Sequence, residues 1–310
     1  MDNFRNINYR HERLLKLLPG ALTVLPGLLT LQNIPKLDSI KSQVSEFLFD
    51  NLDAAYPNEN FQRDQGLEPF HEYLRDLVNR TPNGLVLFQK ETQKSYAKLH
   101  NVLATALGDL LAWDRIAKIH VPVNIRVSFS GLDNELQLSS RPLASQKEHI
   151  DVWAGEPINS FLLFLPVFGD VEASGVEYYN CDLSEVPLGE LSDFADYKAV
   201  RLPGDVQKME MDTLHIADCL VFHRTIKKKS GFRVSIDFRG VYEEFLSGEL
   251  GEIQKSVVRQ QMYKDTEIWR SIGKQRWLET EYSFSNIEER LNNPNVNASY
   301  SVYPHNFRIV

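Results

Sequence analysis

The segment QKEHIDVWAGEPINSFLLFLPVFG, residues 146–169, decides the fold prediction because it joins a pair of polar residues to a long apolar run. His149 and Asp151 are two positions apart, and Ile150 and Val152 alternate with them. Because side chains of a strand alternate between its two faces, we expect His149 and Asp151 to point to the same side of a sheet. The run NSFLLFLPVF that follows predicts a buried strand.

A second segment, DCLVFHRTIKKKSGFRVSIDFRG at residues 218–240, supplies groups that match this pair. His223 ends an apolar run, and Arg233 and Ser235 lie further on in a strand-like stretch with an apolar opposite face. Two imidazoles and one carboxylate can occupy one face of an octahedral ion, which is the facial triad of non-haem Fe(II) oxygenases. A guanidinium and a hydroxyl on one strand face can bind a carboxylate. The two segments therefore predict a three-ligand iron site with an anchor for an acidic co-substrate.

The order H-x-D, then H, then R-x-S resembles the Fe(II)/2-oxoglutarate-dependent dioxygenase superfamily over about residues 121–240. The chain looks most like the phytanoyl-CoA hydroxylase-like branch. The resemblance implies Fe(II) on the two histidines and Asp151, and 2-oxoglutarate on Arg233 and Ser235, with O2 as the second co-substrate. It also implies hydroxylation of an unactivated C–H bond in a small metabolite, natural-product or sugar-type substrate, with release of succinate and CO2. Related halogenases carry a small residue in place of the carboxylate, so Asp151 favours hydroxylation, desaturation or ring closure.

Five further residues are candidates for binding 2-oxoglutarate or substrate. Asn159 opens the strand after the H-x-D segment, where it would donate a hydrogen bond to 2-oxoglutarate or cap the strand. Arg126 and Ser128 lie on the polar face of an early strand and are predicted to line the substrate pocket. Trp153 is predicted to form a pocket wall, with a purely structural aromatic residue as the alternative. Tyr178 is predicted to line the pocket near its entrance.

Three features near these residues have other interpretations. The run Lys227-Lys228-Lys229 is expected to be a solvated turn, and it would favour an anionic substrate only if it borders the pocket. His215 is the nearest rival to His223 as a ligand, but it lacks the apolar lead-in and the downstream R-x-S. Arg239 is expected to lie outside the pocket.

Residues 1–118 are predicted to be mainly helical. Helical spacing of apolar residues occurs in SIKSQVSEFLFDNLDAAY (39–56), EPFHEYLRDLVNRTPNG (68–84) and SYAKLHNVLATALGDLLAW (95–113). Pro and Gly interrupt the most apolar stretch, LLKLLPGALTVLPGLLTL (14–31), which we interpret as a buried helix and turn and not as a membrane span.

The predicted fold is a mostly β core with α flanks, a double-stranded β-helix (jelly roll, cupin-like) backed by N-terminal helices. Short strand-like runs separated by turn residues, with no long helix between them, indicate antiparallel strands. They are VPVNIRVSFSGL, NSFLLFLPVF, GVEYY, YKAVRL, DCLVFHR and FRVSIDFRGVY. We expect one catalytic domain with a helical part at 1–118, the jelly-roll core at 119–242 and a helical or irregular extension at 243–310. Residues 181–210 are expected to be a loop-rich insertion.

Composition restricts the class of protein. The chain has 310 residues, 43% of them hydrophobic, and a formal net charge of -8, which argues against a nucleic-acid partner. Its two cysteines, with no transmembrane segment or secretory signal expected, favour a cytoplasmic protein. The expected partner is a small-molecule substrate, with a homodimer as an option. Two alternatives remain: a non-catalytic jelly-roll module that binds a sugar, and a zinc-dependent hydrolase that uses the same ligands.

Overall fold

The computed structural model describes most of the chain up to residue 242 and three short strands beyond it. The described residues are 5–81, 83–108, 110–120, 123–131, 142–156, 158–202, 206–228, 230–242, 262–263, 278–280 and 307–309.

The helices of the described chain lie in its first third: α1 (Ile7–Leu17), α2 (Leu37–Ala55), α3 (His71–Arg75) and α4 (Gln93–Gly108). Helices α2 and α4 confirm two of the three helical predictions, whereas the segment 68–84 contains only a 3-10 turn and the short α3. Within the described residues no helix combines the length and the apolar character that a membrane crossing requires.

The leucine-rich segment 14–31 differs from the prediction of a helix and turn. It contains the end of α1 and then a hairpin of β1 (Leu22–Leu25) and β2 (Leu28–Leu31). The turn passes through Gly27 at φ +83°, a conformation that favours glycine. A short apolar run fits a buried strand as well as a buried helix. The segment forms a strand and not a helix because another strand of the sheet pairs with β2.

The later strands, in chain order, are β3 (Leu85–Val86), β4 (Ile116–His120), β5 (Asn124–Ser130), β6 (Ser160–Gly169), β7 (Val176–Tyr179), β8 (Gln207–Lys208), β9 (Leu214–Asp218), β10 (Phe222–Thr225), β11 (Gly231–Tyr242), β12 (Met262–Tyr263), β13 (Leu278–Thr280) and β14 (Phe307–Ile309). The major sheet runs β1-β2-β9-β6-β11-β4-β12, with β5 also on β11 and β3 on β5. The minor sheet runs β10-β7-β8, and β13 pairs with β14. Every recorded strand pair is antiparallel, which supports the predicted jelly roll.

Side chains from the two main sheets meet in one buried cluster. Leu162 and Phe164 of β6 pack there with Val176 and Tyr178 of β7. The alternate residues of β6 face a second, larger core that includes residues of α2 and α4. The major sheet therefore has helices on one face and the minor sheet on the other, which is the mostly β jelly-roll architecture with α flanks.

Two strand predictions need correction, and one prediction falls mainly outside the described chain. DCLVFHR is not one strand, because a turn at residues 219–221 carries the chain from β9 in the major sheet to β10 in the minor sheet. YKAVRL forms only an isolated bridge between Cys181 and Arg201. The helical or irregular extension expected at 243–310 lies outside the described residues except for strands β12, β13 and β14. The division at 118 and 242 remains a prediction, although β1, β2 and β3 show that the first part also supplies strands.

Candidate metal centre

Backbone pairing brings the two distant histidines side by side. His149 and His223 form an isolated antiparallel bridge, in which each amide donates to the carbonyl of the other at 3.0 and 2.9 Å. Their ring centroids lie 4.3 Å apart. Asp151 does not continue a strand as predicted, since it opens a 3-10 turn, Asp151–Ala154. Extended backbone at Ile150 (φ -112°, ψ 151°) precedes that turn.

The three side chains form a compact donor set in the interior. His149, Asp151 and His223 each offer one ligand atom, and these atoms all lie within 4.8 Å of one another. His223 Nε2 and Asp151 Oδ1 are 3.9 Å apart. Each imidazole places its Nδ1 near a backbone carbonyl, that of Lys147 at 2.7 Å and that of Val221 at 3.0 Å. An Nδ1–H donor to a carbonyl leaves Nε2 as the lone-pair atom, which is the usual arrangement in metal-binding histidines.

Electrostatics keep His149 and Asp151 in the protonation states that bind a cation. Burial, followed by the charge of His223, lowers the pKa of His149 to about 3. Burial acts to raise the pKa of Asp151, but the charges of Arg239 and His223 hold it well below its usual value. At neutral pH His149 is thus a neutral ligand and Asp151 a carboxylate, as metal coordination requires.

The triad lines one cavity of about 800 Å³, part of it open to solvent, between the two main sheets. Arg233, Arg126, Ser128 and Tyr178 also line this cavity, whereas Ser235 does not.

Arg233 is a buried cation whose donors are poorly satisfied within the described chain. Its side chain is among the largest that are fully buried, and Nε has no hydrogen-bond partner there. Nη1 lies 3.4 Å from the sulfur of Met209, and the guanidinium lies over the ring of Phe164 at 5.1 Å. Burial, and then the charge of Arg126, lowers the pKa of Arg233 to about 10. Buried polar groups are nearly always paired, so this site suits an anionic ligand.

Two further polar groups of the described chain are also without partners. The hydroxyl of Ser235 is buried on the same strand face as Arg233 and forms no hydrogen bond. Asn159 is fully buried, and neither its amide nitrogen nor its amide oxygen has a partner. Asn159 does not line the cavity, so the geometry gives no direct route from its side chain to a ligand there.

The other predicted pocket residues line the cavity in different ways. Arg126 Nε lies 2.8 Å from Asp237 Oδ2, so this guanidinium is already paired. Ser128 shares a 2.8 Å hydrogen bond with Ser174. Tyr178 is fully buried with an unpartnered hydroxyl among the described groups. Burial raises the pKa of Tyr178 above its ordinary value, and the charge of Arg233 acts in the opposite direction.

Trp153 does not form a cavity wall, contrary to the prediction. It is fully buried, its indole Nε1 donates to the carbonyl of Pro187 at 2.8 Å, and its ring meets the edge of Phe222. The 3-10 turn that begins at Asp151 abolishes the period of two on which the prediction rested. Trp153 therefore joins the metal-ligand segment to the insertion as a structural aromatic residue.

Among the cavity residues that the sequence interpretation missed, two contact triad side chains directly. Arg239 was expected outside the pocket, yet it lines the cavity and donates to Asp151 Oδ1 at 3.0 Å. Extending the period of two from Arg233 along β11 would have found it. Phe194 of the insertion lies face to face with His149, at 4.3 Å between centroids and 5° between planes. No local pattern marks a loop residue of this kind.

Lys228 of the lysine run and His215, the rival ligand, both lie away from the candidate metal centre. Lys228 Nζ lies 3.7 Å from Glu177 of β7, and neither residue lines the cavity. Hence Lys228 gives no support for an anionic substrate, and Lys229 lies outside the described residues. His215 accepts a hydrogen bond from the amide of Glu210 at 3.1 Å and stacks on Tyr178, outside the metal-binding group found in the described chain.

Comparisons with known proteins give distant structural likenesses. No family model and no curated protein match the chain. A non-heme alpha ketoglutarate dependent carbocyclase, SnoK from nogalamycin biosynthesis, has a TM-score of 0.37 and 11% identity over 80% of this chain and 91% of its own. An N-substituted L-amino acid dioxygenase from Burkholderia ambifaria, in complex with alpha-KG, has a TM-score of 0.33 and 12% identity, over 71% and 84%. The non-heme alpha ketoglutarate dependent epimerase SnoN has a TM-score of 0.32 and 10% identity, over 75% and 81%. At such low scores these likenesses carry no argument about function.

Proposed function

We propose that this protein is a non-haem Fe(II)- and 2-oxoglutarate-dependent oxygenase that hydroxylates an unactivated C–H bond of a small molecule. The observation that carries the proposal is one cavity, partly open to solvent, with two chemically different halves. One half offers two imidazole nitrogens and a carboxylate, and the other offers a buried guanidinium with an unsatisfied donor. A keto acid with a second carboxylate would fit both halves, by chelating the metal and pairing with Arg233.

The residues of the chain have separate tasks in this reaction. His149, Asp151 and His223 would hold Fe(II), which, with 2-oxoglutarate and O2, supplies the oxidising power for C–H hydroxylation and yields succinate and CO2. Arg233 binds the distal carboxylate of 2-oxoglutarate and fixes its orientation.

The side chains around the metal centre shape the space left for the substrate. Tyr178 lines the cavity, and the charges of Arg233 and Asp151 both act on its pKa. Phe194, Leu143 and Ala154 supply apolar lining and help to exclude water from the reacting groups. We assign the substrate to the space beside Phe194, together with the hydroxyl groups of Ser145 and Thr225.

The decisive test is anaerobic addition of Fe(II) and 2-oxoglutarate to the full chain. We expect a visible charge-transfer band from a keto acid chelated to Fe(II), and we expect Asp151→Ala and His223→Ala to abolish it. His215→Phe is the matched control, since it removes the rival imidazole but keeps a ring against Tyr178, and it should retain the band. A wild-type chain without the band, or one that is active with zinc in the absence of O2, would overturn the proposal.

Several finer features belong to the same proposal. They are the phytanoyl-CoA hydroxylase-like branch, a role for Ser235 and Asn159 in binding 2-oxoglutarate, one catalytic domain, a cytoplasmic location and a homodimer. The unpartnered hydroxyl of Ser235, on the strand face of Arg233, supports the second of these for Ser235, whereas Asn159 enters it from the sequence resemblance alone. Succinate release measured across a panel of metabolites would identify the substrate.

A further inference from the structure

Arg239 joins two carboxylates next to the candidate metal centre. Its Nη2 lies 3.0 Å from Asp151 Oδ1, and its Nε lies 3.2 Å from Glu156 Oε1. The exposed fractions of the three side chains are 8%, 6% and 3%, so the whole chain of charges is shielded from water. It is therefore a buried carboxylate–guanidinium–carboxylate arrangement in which one carboxylate is a candidate ligand.

The backbone fixes the two carboxylates relative to each other. Asp151 opens the 3-10 turn, and Gly155 at φ +84° ends it in the left-handed region. The amide of Glu156 then donates to the carbonyl of Asp151 at 3.2 Å. Arg239 reaches this closed turn from β11, 88 residues further along the chain. The guanidinium therefore ties the ligand-bearing turn to the central strand of the major sheet.

The charge balance of this group argues against a simple stabilising role. A buried ion pair is weak evidence for stability, because removing charges from water costs about as much as their attraction returns. Arg239 alone would also repel a divalent cation at Asp151. Glu156 offsets that positive charge, so the group keeps one net negative charge, and a cation would be attracted to it.

We propose that Arg239, neutralised by Glu156, is a positioning residue for the metal ligand Asp151. This inference rests on the proposed metal centre. Its hydrogen bond to Oδ1, the oxygen that also faces His223 Nε2 at 3.9 Å, fixes the side-chain orientation of Asp151 and so the direction from which this carboxylate would meet a cation. Groups that orient a ligand in this way commonly affect metal affinity by about 10- to 100-fold.

Titration of the full chain with Co(II), followed by its visible absorption, tests this role without substrate or turnover. Arg239→Gln removes a positive charge, so a purely electrostatic role predicts tighter Co(II) binding. Positioning predicts the opposite, a loss of about tenfold or more and an altered Co(II) spectrum. Unchanged or tighter binding by this variant would overturn the inference.

Two gentler substitutions keep the test decisive if Arg239→Gln does not fold. Arg239→Lys retains the charge but cannot bridge both carboxylates with a planar fork, so it should also weaken Co(II) binding. Glu156→Gln is nearly isosteric and leaves Arg239 unbalanced, which should weaken binding as well. Wild-type affinity in both variants would refute the role.

The matched control is Arg224→Gln, which makes the same change one residue after a candidate ligand. Arg224 is paired with Glu177 and does not line the cavity, so Co(II) binding should be unchanged. The two proposals can fail separately. Wild-type protein that binds Co(II) but gives no band with Fe(II) and 2-oxoglutarate would end the proposed function and leave the role of Arg239 intact. A band that persists in an Arg239→Gln variant with wild-type Co(II) affinity would do the reverse.

Discussion

Replacing Arg233 with Met should make the ligand-free protein more stable and abolish binding of 2-oxoglutarate. Burial lowers the pKa of Arg233 from 12.5 to about 10, which at about 1.36 kcal/mol per pKa unit disfavours the buried charge by roughly 3 kcal/mol. Methionine fills similar space without this penalty but loses the cation–π contact with Phe164, which contributes on the order of 1 kcal/mol. The free energy of unfolding should therefore rise by about 2 kcal/mol.

Urea unfolding in the presence and absence of ligand measures both effects. With Mn(II) and 2-oxoglutarate at 100 times the dissociation constant, the wild-type protein should gain about 2.7 kcal/mol, and the variant should gain nothing from adding 2-oxoglutarate to the metal. The matched control is Arg126→Met in the same cavity, where Asp237 would lose its ion-pair partner and keep its hydrogen bond from Asn124. It should destabilise the protein by about 3 kcal/mol, because an uncompensated buried carboxylate remains.

Whether each substitution raises or lowers the free energy of unfolding distinguishes a carboxylate anchor from a structural residue. If Arg233 were a structural residue, its replacement would destabilise the ligand-free protein as that of Arg126 does. A drop in the unfolding free energy of Arg233→Met, or a 2-oxoglutarate-dependent gain that survives the substitution, would refute the assignment of Arg233 as the carboxylate anchor.

Other positions give independent predictions. Burial lowers the pKa of His100 to about 3 in the folded protein, below the ordinary 6.5, so the unfolded chain takes up the proton first as pH falls. His100 should thus reduce stability below pH 6.5, by about 2 kcal/mol at pH 5, and His100→Asn should remove that share of the loss from a pH series of urea unfolding curves, while the other buried histidines with lowered pKa values, His149 and His215, keep theirs. Phe194→Leu should weaken Co(II) binding by about two- to tenfold, the equivalent of about 0.5–1.5 kcal/mol for the lost ring stacking on the ligand imidazole, whereas Phe194→Tyr should bind as wild type. Gly240→Ala should lower the thermal midpoint, since its Cβ would lie 2.3 Å from the ring of Phe161, at a cost of about 1–3 kcal/mol; Gly189→Ala, with nothing within 4 Å of the added atom, should not.

The local sequence was sufficient where one strand determines the geometry. The alternation on β11 places Arg233 and Ser235 on one face and an apolar row on the other, as the pattern predicted. The same alternation, continued along β11, also places Arg239 on the face of Arg233. The antiparallel core was also predictable, because strand length, alternation and turn residues are properties of neighbouring residues.

Tertiary structure decided what depends on partners distant in the sequence. The leucine-rich segment became the β1–β2 hairpin because β9 offered an edge to pair with, while its composition fitted helix and strand equally. The prediction for Trp153 was wrong because Asp151 opens a tight turn, which the pattern of one residue in two could not reveal. The contact between Phe194 and His149 depends on how an irregular loop folds back over the barrel.

The sequence by itself thus determined the chemical identity of the candidate ligands and the anchor. Residue type and spacing along one segment depend only on neighbouring positions in the sequence. Only the folded chain decided that these groups share one cavity, and that Arg239 reaches Asp151 there. The physical reason is that the strands bring together residues far apart in the sequence, and burial then gives their charges the strength to act on one another.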